Sequence, residues 1–202
     1  MPDTAASSSA AIYIIRHGQT ALNRQGVLLG RSDHPLNPAG EDQARKAAAL
    51  FRRLHVTFDH AFTSPLRRAV QTAGIIAPYL AAEEDSRLLE MDYGPYEGAD
   101  LAHPSPELAA FFRDFAHTPA PHGMESLESV VRRSGAFMED IRHLSGNILI
   151  STHAISMKGI LEYLTPDAHG AFWSRYIGNC AVYVCRLENS RFSVPEPVPD
   201  EP

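Results

Sequence analysis

Apolar residues along the chain follow two repeats. Within "IYIIRHGQT" (12–20) an unbroken apolar run ends at Arg16, which predicts a short buried strand over 12–16. Asn37-Pro38 reads as a helix cap followed by proline at the first helical position, with Glu41 and Asp42 in the first turn. Ala44, Ala47, Ala48, Phe51 and Leu54 then recur at helical spacing. "FDHAFTS" (58–64) predicts a second strand. Ser64-Pro65 opens another helix, with Leu66, Ala69, Val70, Ala73, Ala77 and Leu80 on one face. Leu127, Val130, Val131, Phe137, Met138, Ile141 and Leu144 predict a long helix over 125–145. "NILIST" (147–152) reads as a strongly apolar strand, followed by a helix over 155–164. "CAVYVCRLE" (180–188) predicts a late strand that pairs with "RFSV" (191–194).

This alternation predicts an α/β protein with a largely parallel sheet. The stretch 94–123 breaks it. Rich in proline and glycine, with a helix expected near 106–115, it reads as a cap-like insertion. Residues 1–10 are Ser/Ala-rich and 195–202 are proline-rich and acidic, so both are expected to be disordered tails around a single domain spanning 11–194.

Composition narrows the function. A chain of 202 residues, 44% hydrophobic and 21% charged, can build a real core. A net charge of -6 argues against nucleic acid as a partner, yet a local arginine cluster can still hold a small anion. No apolar run is long enough to span a bilayer, so no membrane partner is expected. Cys180 and Cys185, at odd spacing on a strand, are not expected to pair, and the first ten residues lack the basic and apolar regions of a signal peptide. Cytoplasm is the expected location. Oligomeric state stays open, with a homodimer among the candidates.

In a parallel sheet the carboxyl ends of the strands share one rim, where ligands usually bind. The first strand delivers Arg16, His17 and Gly18 there. "HAFTS" leads into a helix beginning at Arg67 and Arg68, and "NILIST" ends at His153. Arginines at a helix start oppose the local partial charge unless an anion sits there. Arg67 reads as an ordinary solvated residue and Arg68 as the anion ligand. Two histidines with two arginines suit a phosphoryl group, because neutral imidazole can attack phosphorus while guanidiniums neutralise its oxygens. They suit a metal poorly, and no metal or other cofactor is expected.

These residues resemble the signature of the histidine phosphatase superfamily, the phosphoglycerate mutase-like proteins. "RHGQTALN" (16–23), "GRSDHPLNPAGEDQA" (30–44), "TSPLRRAVQTA" (63–73), "LLEMDYGPYEG" (88–98) and "ISTH" (150–153) match its motifs in order. The resemblance implies a three-layer α/β/α sandwich on a mostly parallel six-stranded sheet. It also implies that His17 is the nucleophile and that Arg16, Arg68 and His153 complete the phosphate pocket. Glu90 would be the general acid and then the base, and Asn23 would lie close to the transferring group. Gly18 would permit a tight turn beside the phosphate, and Ala154 follows the second histidine. Glu97, in the same acidic stretch, reads as structural. Where many relatives have glycine and arginine, this chain has Ala154 and Lys158, and Met124 intrudes in a Gly-Glu-Ser segment. The remaining histidines read as surface or loop residues. Tyr93 and Tyr96 are divided between pocket lining and packing.

The expected activity is that of a metal-independent phosphoric monoester hydrolase acting on a phosphorylated small molecule. A phosphoglycerate mutase-type phosphotransferase is the alternative, disfavoured by the short interval between Glu90 and His153. A non-catalytic phospholigand-binding module would not need nucleophile and acid together.

Overall fold

The structure, a computed structural model, describes residues 9–199. Residues 1–8 and 200–202, where the sequence suggests tails, lie outside the described residues. Four strands run parallel in the order β3 (Glu83–Glu84), β2 (His60–Thr63), β4 (Gly146–Thr152) and β1 (Ala10–Arg16). β5 (Val182–Glu188) joins β1 antiparallel. β6 (Arg191–Phe192) and β7 (Glu196–Val198) pair with successive stretches of β5. Seven strands therefore fill six positions, and the antiparallel pairs gather at one edge.

Register explains the rim. Arg16 lies opposite Thr152, and Thr63 opposite Ser151. The chain thus leaves β1 at His17, β4 at His153 and β2 at Ser64 side by side. The backbone N–H of His17 donates to Thr152 O at 2.9 Å and that of Ser64 to Ser151 O at 3.0 Å, which carries the ladder one residue past each strand end.

Alternation along the strands sorts the core into layers. Ala11, Tyr13, Ile15 and Leu149 face α2 (Pro38–Arg53) and α3 (Arg67–Ile76), packing on Ala47, Phe51 and Ala73. Ile12, Ile14, Ile148 and Ile150 face α5 (Leu127–Asp140) and α6 (Ala154–Leu164), packing on Phe137, Met157 and Ile160. Strands covered on both faces read as continuous apolar runs, as "ILI" in β4 does. A third apolar cluster joins Leu28, Met91 and Tyr93 to Leu108 and Phe111 of α4 (Pro106–Arg113), under segment 94–123.

Several expectations need correction. The proline-rich end is not wholly a tail. Glu196–Val198 pairs with β5, Val182 opposite Val198, and Val198 packs on the core. An edge strand tolerates Pro197 because its missing N–H interrupts no inner ladder. At the other end Ala10 is the first residue of β1 and is buried. The helix expected over 125–145 stops at Asp140 and finishes as a single 3₁₀ turn over Ile141–His143. A short helix, α1 (Ala21–Gln25), held by a capping box between Thr20 and Asn23, leaves no mark on the apolar pattern, because five residues show no period. Cys180 precedes β5 with φ 57°, outside the strand, and Cys185 lies buried within it. Among the described residues no helix is long and apolar enough to cross a membrane.

Candidate active site

Arg68 is the hub. It lies one residue into α3 with none of its surface exposed. Its Nη1 donates to Ser32 O at 2.8 Å and its Nη2 to Gly30 O at 2.6 Å. Its Nε points between two imidazoles, 3.2 Å from His17 Nε2 and 3.2 Å from His153 Nδ1. The carbonyls that grip it belong to a loop that Glu97 in turn holds. Glu97 Oε1 accepts from Gly30 N at 2.9 Å and from Ser32 N at 3.2 Å. Glu97 is thus structural in a specific way, since it fixes the loop that aims Arg68. Arg67 is exposed, and its backbone N–H, an orphan at the start of α3, donates to Asp33 Oδ1 at 2.7 Å.

The partners of the two histidines assign their tautomers. His17 Nδ1 lies 2.7 Å from Gly18 O, a pure acceptor, so Nδ1 carries the proton and Nε2 keeps the lone pair. His153 Nδ1 accepts from Arg68, which places its proton on Nε2, 2.7 Å from Ser64 Oγ. The rings stand 5.1 Å apart at 63°. Burial, then the charges of Arg68 and Arg16, hold His17 well below the ordinary histidine value of 6.5. Burial, then Arg68, does the same to His153. Burial also pushes Arg68 down to about 10, opposed by Glu90 and Glu97. Crowded cations and uncharged imidazoles are an environment that an anion relieves.

Glu90 is almost fully buried and sits on the start of α6. His153 is the N-cap residue but spends its side chain elsewhere, so Glu90 supplies the cap. Its Oε1 accepts from Met91 N at 2.9 Å, Ile155 N at 3.1 Å and Ser156 N at 3.1 Å; its Oε2 has, among the described residues, only Ile155 N at 3.2 Å. The more lightly bonded Oε2 is the oxygen with capacity for proton exchange.

A cavity of about 590 Å³ lies beside this centre; its lining includes Arg16, Asn23, Glu90, Tyr93 and Ala154, while the buried His17, Arg68 and His153 stand behind that wall. Arg16 Nη1 donates to Ile177 O at 2.5 Å, while its buried Nε has no partner among the described residues. Asn23 Oδ1 accepts from Thr20 N at 3.2 Å within the cap of α1. Tyr93 is buried cavity wall, whereas Tyr96 bonds Glu107 in the open. Lys158 Nζ donates to Trp173 O at 2.6 Å, and burial lowers its pKa to about 8.

The reason for Gly18 differs from the expected tight turn. A Cβ there would come 2.4 Å from Gly40 O, so Gly18 and Gly40 let the loop after β1 press onto the start of α2. Its N–H donates to Thr72 Oγ1 at 3.1 Å. The apolar pattern does not single out Ser64, Thr72, Gly30 or Ser32. Their one signal in the sequence is that they fall inside the motifs "TSPLRRAVQTA" and "GRSD".

Known proteins share both the sequence pattern and the fold. A putative phosphoserine phosphatase 2 from Hydrogenobacter thermophilus is 31% identical over 187 residues, covering 89% of this chain and 91% of the relative. A 2,3-bisphosphoglycerate-dependent phosphoglycerate mutase from Cytophaga hutchinsonii is 33% identical over 172 residues, covering 77% and 79%. A phosphoserine phosphatase variant from Entamoeba histolytica, solved with phosphoserine, shares the fold at a TM-score of 0.80 and 20% identity, covering 95% of this chain and 98% of the other. The sequence profile of the histidine phosphatase superfamily (branch 1) matches residues 12–197. The phosphatase-type signature and the α/β sandwich therefore have one source, and the chain belongs to the histidine phosphatase superfamily.

Proposed function

We propose that this enzyme hydrolyses phosphomonoesters through a phosphohistidine on His17. The observation that carries the reading is the Arg68 Nε–H set between His17 Nε2 and His153 Nδ1, with His17 Nδ1 committed to Gly18 O. That arrangement leaves one lone pair for attack, flanked by the guanidiniums of Arg16 and Arg68 that stabilise the equatorial oxygens.

The Nε2 lone pair attacks phosphorus, the N–P bond forms and the ester P–O bond breaks. The ester binds as its monoanion, its proton passes to Glu90 Oε2, and Glu90 gives that proton to the leaving oxygen. Water then returns a proton to Glu90, its oxygen bonds phosphorus, and the N–P bond breaks to release inorganic phosphate. As the anion draws the Arg68 Nε–H to itself, His153 takes up a solvent proton at the vacated Nδ1 and donates it to a phosphoryl oxygen. Asn23, Gly18 and Ala154 border the transferring group. Two guanidiniums at the centre repel a metal cation, so the chemistry runs on protein groups alone.

Phosphoserine, named for two of the relatives above, is the first substrate to assay. A mutase-type transfer is favoured by the Cytophaga relative, while the short segment between Glu90 and His153 supports hydrolysis. Phosphate release from phosphoserine and p-nitrophenyl phosphate in excess chelator tests the reading. Stoichiometric release is expected. Chelator-abolished turnover, or isomerised ester without released phosphate, would overturn it.

A further inference from the structure

The cavity is larger and more cationic than phosphoryl transfer requires. At about 590 Å³ it falls in the range that encloses drug-sized ligands, roughly 300–1,000 Å³. A three-carbon phosphate ester would leave most of it to water. Its wall beyond the phosphate end is largely apolar, with Leu28, Leu29, Leu101, Phe112 and Ile177 facing in. In a protein of net charge -6, this one cavity is lined by four cationic side chains, Arg16, Arg113, Lys158 and Arg175, against the single carboxylate of Glu90. Arg16 serves the phosphoryl end, so three cations are left over.

Lys158 is the most telling of the three. It is 7% exposed, and the only hydrogen-bond acceptor its ammonium has among the described residues is Trp173 O at 2.6 Å, with the Phe115 ring 5.1 Å away. An ammonium in so dry a place is costly unless an anion meets it. Burial already moves its pKa down to about 8. Lys158 lies one helical turn beyond Ala154 in α6, on the order of 6 Å farther along the axis, and both line the cavity. Arg175 follows Trp173 by two residues. Its guanidinium stacks on Phe172 at 4.7 Å and forms no salt bridge among the described residues.

We infer, resting on the phosphatase reading above, that the substrate is a phosphomonoester whose leaving alcohol carries an apolar body ending in a second anionic group. The body lies against Leu28, Leu101, Phe112 and Ile177, and the anion meets Lys158 and Arg175. A carboxylate and a second phosphate share this chemistry.

The test compares four esters on the wild-type enzyme and on the K158M and R175Q variants. They are phenyl phosphate, 4-(carboxymethyl)phenyl phosphate, 4-(phosphonomethyl)phenyl phosphate and phosphoserine. The methylene keeps the basicity of the phenol nearly constant, so leaving-group effects cancel within the aryl series. At least one anionic aryl ester is expected to exceed phenyl phosphate in kcat/KM by about tenfold or more, the worth of one charge-assisted hydrogen bond. Which of the two does so names the anion. That advantage is expected to collapse in K158M and shrink in R175Q, while phenyl phosphate itself changes little. R175Q alters an exposed side chain, so it reads the site even if K158M folds poorly. Equal rates for neutral and anionic aryl esters, or an advantage that survives both substitutions, would overturn the inference. Phosphoserine outrunning every aryl ester would overturn the apolar body. Failure to turn over any ester would overturn the phosphatase reading instead.

Discussion

Glu90→Gln separates proton transfer from architecture. The carboxylate accepts four N–H contacts, three of them at Oε1. A glutamine with its carbonyl oxygen in the Oε1 place keeps those three. It loses the shared contact from Ile155 at Oε2 and the attraction between carboxylate and helix start. Those losses amount to about 1–3 kcal/mol, from roughly 1 for the hydrogen bond and up to about 2 for a buried charge at a helix terminus. At about 2–4 °C per kcal/mol for a chain this size, Tm drops by roughly 2–12 °C and the variant stays folded at room temperature. The loss in rate is expected to be selective. A departing alkoxide needs a proton and p-nitrophenolate does not, so phosphorylation by alkyl esters should slow about 10²–10⁴-fold and by p-nitrophenyl phosphate far less. Water attack on the phosphoenzyme needs the base and slows as well, so steady-state rates mix the steps. Rapid-quench measurement of the first turnover isolates phosphorylation, and the burst with p-nitrophenyl phosphate should approach one equivalent per site. If the burst rate falls equally for both esters, Glu90 is a helix cap and not the acid.

Arg68→Lys should weaken vanadate binding about tenfold or more, because lysine cannot hold Gly30 O and Ser32 O while donating between two imidazoles, each such charged bond being worth about 1.5–3 kcal/mol; calorimetry on Arg67→Ala should show almost no change, and equal effects would refute the assignment. Stability is expected to fall as pH drops below about 6.5: His17 and His153 are held neutral when folded, and the unfolded chain takes up protons on both as pH passes that value. Tm followed from about pH 7.5 to about pH 5.5 checks this, and a His17→Asn, His153→Asn variant should show a shallower decline, parallel curves refuting the cause. Gly40→Ala should destabilise strongly, because its Cβ would come 2.1 Å from Gln19 O; unchanged Tm would mean the loop after β1 yields.

How much of this was legible in the sequence depends on distance along the chain. The central strands β1 and β4 were legible because burial on both faces writes an unbroken apolar run. The start of α2 was legible because Asn37 and Pro38 act within one turn. The site residues came from motifs at strand ends, and the register of β1 and β4 explains why those ends converge. The grip on Arg68 was not legible. It runs from Glu97 to the backbone of residues 30–32 and back to α3, and no local pattern encodes contacts 36 to 67 positions apart. Nor was β7, since four prolines in the acidic segment 195–202 look like tail until β5 offers an edge. The role of Gly18 looked local and proved tertiary, set by Gly40.

The most direct test of the account is to quench the wild-type enzyme during turnover of a ³²P-labelled phosphomonoester and map the labelled peptide. The expected result is a phosphoenzyme stable in base, labile in acid, located on His17 and absent from a folded His17→Ala variant. An acid-stable adduct, label on another residue, or undiminished turnover by His17→Ala would contradict it.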